Sequence, residues 1–256
     1  SKAVAQRAAR ASITLLKNEG NVLPLKRGTR LLVTGPGATS LTMLNGGWTY
    51  TWQGTSPSLF PPGVPSLLAA LRTRADVHYA ESAAEAASAA READAAIVVL
   101  GEDAYAEPFG DINDLTLPAQ QLRLPAAVAA TGTPTILVLL EGRPRIIRDV
   151  ADSAKGIVMA YWPGMEGAEA IADVLFGDVN PSGRLPFTYP RYPNALVLDD
   201  HRFTETLDTG FDRQPTAFNP QFALGTGLSY TTFAYSDLHV DGLTTRVTVT
   251  NTGNRA

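Results

Sequence analysis

The chain has 256 residues, 45% hydrophobic and 18% charged, with a formal net charge of -4 and no basic run, which excludes the positive surface a nucleic-acid partner needs. It has no cysteine, so disulfides and thiolate metal sites are excluded; with His78, His201 and His239 scattered, neither a metal nor a cofactor is expected. No apolar stretch reaches the roughly 18 residues that cross a bilayer, so no membrane span is expected, and the amino end SKAVAQRAARAS reads as a basic amphipathic helix instead of a signal peptide.

In chain order, residues 3–17 carry Val4, Ala8, Ala11 and Leu15 at helical spacing before Asn18, Glu19 and Gly20, which predicts a leading helix. Continuous apolar runs follow at 30–35, 77–80, 95–101, 135–141 and 156–162, with a shorter one at 185–189. Runs without alternation are buried on both faces, as in a parallel sheet. Helical patterns lie between them at 65–74, 82–93, 118–130, 146–153 and 166–176. Ser82 with Glu85 fits a capping box, and Pro65 and Pro118 suit first helical positions, where the missing amide costs little. The expected fold is α/β: a doubly wound, six-stranded, mostly parallel α/β sandwich over 26–190, with right-handed crossovers. Residues 1–25 are assigned to a leading helix and linker, and 191–231 to a long ordered connection. From 232 to 256 the pattern alternates, as in TRVTVTNTGN, which predicts the beginning of a separate all-β module.

Two loops carry the chemistry. GEDAYAEPFGD at 101–111 begins where a buried strand ends, on the rim where open parallel sheets bind ligands. Glycoside cleavage uses one carboxyl to protonate the leaving oxygen and a second to attack the anomeric carbon or activate water. Glu107, beside Tyr105, Pro108 and Phe109, is the first candidate for the acid, because apolar neighbours help a carboxyl keep its proton. Glu102 is the second candidate, or else orients the loop; Asp111 and Asp114 are read as caps or braces. NGGWTYTWQG at 45–54 offers Trp48 and Trp52 as flat apolar faces for a pyranose ring, although indoles at strand ends also close cores. Trp48, Trp52, Glu102 and Tyr105 are therefore the expected substrate-binding residues. GPGATS at 35–40 does not suit a pyrophosphate, because Pro36 removes an amide and no acidic residue follows at ribose spacing. PGMEG at 163–167 reads as a structural turn, and no GxSxG elbow is present.

Together with AARASITLLKNEGNVLPLK at 8–26, ADVLFGDVNPSGRLPFTYP at 172–190 and FALGTGLSYTTF at 222–233, these motifs resemble glycoside hydrolase family 3 over nearly the whole chain. The paired tryptophans are most similar to its exo-acting β-glucan glucohydrolase and β-glucosidase branch. The resemblance implies a (β/α)8 barrel carrying a nucleophilic aspartate, an α/β sandwich lending the acid/base, and often a fibronectin type III-like β-sandwich. It implies Glu107 as acid/base, with Trp52 and Trp48 as the clamp around the sugar. On this resemblance the chain is the sandwich and the start of the third part, a piece or subunit that works with a barrel domain or chain. The implied reaction is retaining hydrolysis of terminal β-glucosyl residues from a β-glucoside or β-glucan oligosaccharide, outside the cytoplasm, secreted or periplasmic. A non-catalytic carbohydrate-binding module is the alternative; a receiver or nucleotide-binding domain shares the topology but explains neither loop.

Overall fold

The computed structural model describes residues 1–193 and 219–255. Helix α1 (Lys2–Ser12) leads into strand β1 (Thr14–Asn18), and the central elements follow as β2 (Arg30–Thr34), α2 (Leu41–Asn45), α3 (Leu67–Arg72), β3 (Asp76–Ala80) and α4 (Ala83–Ala90). Next come β4 (Ala95–Gly101), α5 (Ala119–Ala129), β5 (Thr135–Leu140), α6 (Arg148–Ala151), β6 (Gly156–Met159) and α7 (Gly167–Leu175). Six strands form one sheet in the order β1-β6-β5-β4-β2-β3, parallel except for β1, which runs antiparallel to β6.

Every residue of β4 and β5 is buried, and neighbouring residues feed opposite faces. Ile97, Val99, Val138 and Leu140 meet residues of α3 and α7, while Val98, Leu100, Leu137 and Leu139 meet residues of α4 and α5. Alternating faces that are both apolar produce the unbroken hydrophobic runs of the sequence. The α/β class, the doubly wound order and the six-stranded, mostly parallel sheet are as expected. So is the capping box, in which Ser82 Oγ accepts the amide of Glu85 at 3.2 Å and Glu85 accepts the amide of Ser82.

Two elements correct the sequence reading. The helix expected over 3–17 ends at Ser12, and residues 14–18 form the antiparallel edge strand β1; the sheet therefore starts at Thr14, not after Lys26. Leu15 continues the helical spacing, but Ile13, Thr14, Leu15 and Leu16 are all buried, which suits a strand held by a partner. That partner, β6, lies far along the chain, beyond the reach of a local pattern. The strand expected at 185–189 is absent; Tyr189 makes only an isolated bridge to Phe222, and Pro186 lacks the amide a ladder needs. Most of the connection expected at 191–231 lies outside the described residues. Beyond it, β7 (Phe233–Asp241) and β8 (Thr244–Asn251) form a separate two-stranded antiparallel sheet.

The order places β3 on one side of β2 and β4 on the other, so the chain reverses direction of travel between β2 and β4. Such a switch point opens a crevice at the carboxyl ends of the strands. Gly35 follows β2 and Gly101 ends β4, so both loops singled out in the sequence leave the sheet on this rim.

Candidate active site

The aromatic loop begins as α2 ends. Ser40 Oγ caps that helix by accepting the amide of Met43 at 3.1 Å. The loop then closes on itself through the Trp48 amide, which donates to the Trp52 carbonyl at 2.8 Å. Trp48 and Tyr50 both have φ of 60°, a left-handed conformation that non-glycine residues seldom adopt. The rings of this loop face outward: Trp48 is 70% exposed, Tyr50 52% and Trp52 43%. The two indoles lie 6.5 Å apart between centroids, and Phe109 of the acidic loop meets Trp52 edge-on at 5.3 Å. The tryptophans therefore do not close the core. They form an open aromatic rim that spans both loops.

The two loops are joined closely. A Cβ on Gly47 would stand 2.1 Å from the carbonyl oxygen of Tyr105, so only glycine permits this approach. Alongside, the Gln53 carboxamide donates to the Ala106 carbonyl at 3.1 Å and accepts the Ala106 amide at 3.0 Å. Glu107 follows directly, opening a short helical turn (Glu107–Gly110) with φ of 52°. It is exposed, and among the described residues no hydrogen bond or ion pair holds its carboxylate. Among the described residues the apolar enclosure expected around Glu107 is not closed: Phe109 is itself 73% exposed.

Glu102 lies in a different environment. It is 4% exposed, and its Oε1 accepts from Arg143 Nε and Arg145 Nη1, each at 2.8 Å. Tyr105, half-buried, donates its hydroxyl to Glu102 Oε2 at 3.3 Å, and the Arg143 guanidinium lies 4.2 Å from the Tyr105 ring centroid. Burial, reinforced by the Glu102 charge, pushes the Tyr105 hydroxyl up to about 12, so it remains a donor. Arg145 also binds the Leu115 carbonyl at 2.8 Å and the Thr116 carbonyl at 2.7 Å. Glu102 thus braces the loop from beneath, through the guanidinium groups of Arg143 and Arg145. Asp114 braces it as anticipated, accepting the Thr116 amide at 2.7 Å.

Among the residues the sequence reading missed is Glu141, fully buried after β5. Tyr189 Oη lies 2.7 Å from Glu141 Oε1 and 2.6 Å from the Arg145 carbonyl. One hydroxyl proton serves two oxygens. Tyr189 donates towards both, and the Arg145 amide donates to the same Glu141 Oε1 at 3.3 Å. Burial pushes Glu141 up from 4.5 to about 8, the Glu102 charge adding to the rise. Between those values the unfolded chain gives up this proton while the folded chain keeps it, so stability is lost as pH rises through the window. Glu141→Gln mimics the protonated form. Its stability should match the parent's at about pH 4.5 and exceed it increasingly towards pH 8, by on the order of a few kcal/mol, read as a Tm difference that grows with pH. A pH-independent Tm difference would refute the protonated Glu141.

Comparison with known proteins follows the same outline. Residues 13–230 match the family model for the glycosyl hydrolase family 3 C-terminal domain. A lysosomal beta glucosidase of Dictyostelium discoideum is 41% identical over 90% of this chain and 30% of that protein. A periplasmic beta-glucosidase of Salmonella typhimurium is 32% identical over 98% of this chain and 39% of its own length. Among solved structures, an exo-1,3/1,4-beta-glucanase from a Pseudoalteromonas species superposes with a TM-score of 0.72 at 33% identity, covering 90% of this chain and 28% of that one. The chain therefore spans less than two fifths of the length of each of these proteins.

Proposed function

The chain belongs to glycosyl hydrolase family 3, as its C-terminal domain, and from that premise we propose that it serves a retaining exo-β-glucosidase as the domain that supplies the general acid/base, Glu107. The nucleophilic aspartate comes from a barrel domain or chain. It attacks the anomeric carbon of a terminal β-glucosyl residue as Glu107 gives its proton to the departing glycosidic oxygen. Glu107 then takes a proton from water, whose oxygen attacks the anomeric carbon and releases the aspartate. In the assembled site the two carboxyls stand about 5 to 5.5 Å apart. Trp52 and Trp48 present their faces to the sugar.

The observation that carries this reading is Glu107 itself: exposed beside the aromatic rim, in a left-handed conformation that costs on the order of 1–3 kcal/mol, with the preceding residue clamped. A module that only binds carbohydrate would use the same tryptophans but has no need of that strain. A secreted or periplasmic setting belongs to the same proposal, supported by the compartments named for the relatives above.

Azide tests the assignment in the full-length enzyme. Glu107→Ala removes both the proton donor and the base, but azide needs no base. It should attack the glucosyl-enzyme formed from an activated aryl β-glucoside, displace the aspartate carboxylate and yield β-glucosyl azide. An α-azide would exclude retention, and the absence of any azide product would exclude Glu107 as acid/base. The same assay with aryl β-xylosides separates the sugar specificity from the mechanism.

A further inference from the structure

We propose that Gln53 is a positioning residue for Glu107, holding the acid's backbone in its left-handed conformation and coupling it to the aromatic platform. The inference rests on the reading of Glu107 as acid/base. Its carboxamide bonds to both the amide and the carbonyl of Ala106, at 3.0 and 3.1 Å, as a neighbouring strand would. Ala106 is extended, with φ of -143° and ψ of 143°, and Glu107 then turns to φ of 52°. A change of backbone region across one peptide needs support on the preceding residue, because the left-handed conformation relaxes wherever the surroundings leave it free.

Gln53 follows Trp52 directly, and Trp52 contacts Phe109, two residues beyond Glu107. The acid is thus held on both sides by the loop that carries the tryptophans. The far end of the acidic loop uses the same device: Gln121 donates to the Gly101 carbonyl at 2.9 Å and accepts the Gly101 amide at 3.0 Å. That second pair anchors the loop where it leaves β4, whereas the Gln53 pair fixes the turn into Glu107. Stability requires the loop to be anchored; it does not require the anchor to stand one residue before the acid.

The test is Gln53→Met in the full-length enzyme, which keeps the chain length and removes both bonds. An acid displaced by a fraction of an ångström to an ångström gives up proton transfer first. Thus kcat/KM for an alkyl β-glucoside should fall roughly 10- to 100-fold, while a dinitrophenyl glucoside, whose leaving group needs no proton, stays near the parent rate. The double variant Gln53→Met/Glu107→Gln should be no slower on the alkyl substrate than Glu107→Gln alone, since both act through one proton. An equal loss on both substrates, or losses that multiply in the double variant, would overturn the inference. If Gln53→Met fails to fold, Gln53→Glu keeps the acceptor for the Ala106 amide and loses the donor, and the same leaving-group signature is expected from it. Glu107→Gln alone separates the two ideas. A uniform loss there removes the acid/base reading itself, whereas a leaving-group-dependent loss there with a uniform loss at Gln53 removes only the positioning role.

Discussion

Glu107→Gln in the full-length enzyme is expected to lower kcat/KM for alkyl β-glucosides by roughly 100- to 10,000-fold, the span a positioned general acid contributes, while activated aryl glucosides lose far less. The amide keeps the shape and hydrogen-bonding reach of the side chain but has no proton to give, so the penalty scales with how much the departing oxygen needs one. Plotting log kcat/KM against leaving-group pKa for parent and variant gives the decisive measurement, and the variant's line should be markedly steeper. Parallel lines would remove Glu107 from the role. The exposed position of Glu107 in this domain adds a second element to the expectation. Pro108 and Phe109 beside it are open to solvent, so on the proposed function the expectation includes a further surface that covers the rim and excludes water from the acid.

How much of this was legible in the sequence depends on the range of the interactions involved. The strands β4 and β5 declared themselves because burial on both faces leaves an unbroken apolar run, and α4 because Ser82 and Glu85 satisfy each other's backbone three residues apart. Strand β1 did not, because what makes residues 14–18 a strand is pairing with β6 far along the chain, and its apolar residues continue a helical spacing. At the site, Trp48, Trp52 and Glu107 were readable as residue types on loops that follow buried strands. Their supports were not. Arg143 and Arg145 belong to EGRPR, which reads as a solvated charged turn until β5 is placed beside β4, bringing it under Glu102. The available signal was that this turn leaves its strand on the same rim as an acidic loop, where opposite charges meet. Gln53 carries no charge and no motif spacing, and its role exists only in the register between two loops.

Glu102→Ala should be the most destabilising single change at the site, on the order of 3–5 kcal/mol, because removing one member of a buried ion pair leaves the others desolvated and unpaired. Glu102 has 3% of its side chain exposed and Arg145 12%, with Arg143 at 25%, so Arg145 loses most and Arg143 recovers part of its solvation. The Tyr105 hydroxyl loses its acceptor as well. For a domain of this size that cost corresponds to a fall in Tm of roughly 6–20 °C. Relief by a second change distinguishes a brace from a binding group: Arg145→Met removes the stranded charge, so Glu102→Ala/Arg145→Met should be less destabilised than the sum of the single variants. Glu102→Gln, which keeps an acceptor for Tyr105, should retain turnover without the leaving-group dependence expected at Glu107. Were Glu102→Ala to leave Tm unchanged while abolishing turnover, Glu102 would be acting on the substrate and the brace would be wrong. The geometry argues the other way, since both of its oxygens are engaged by this chain's own side chains beneath the loop that carries Glu107.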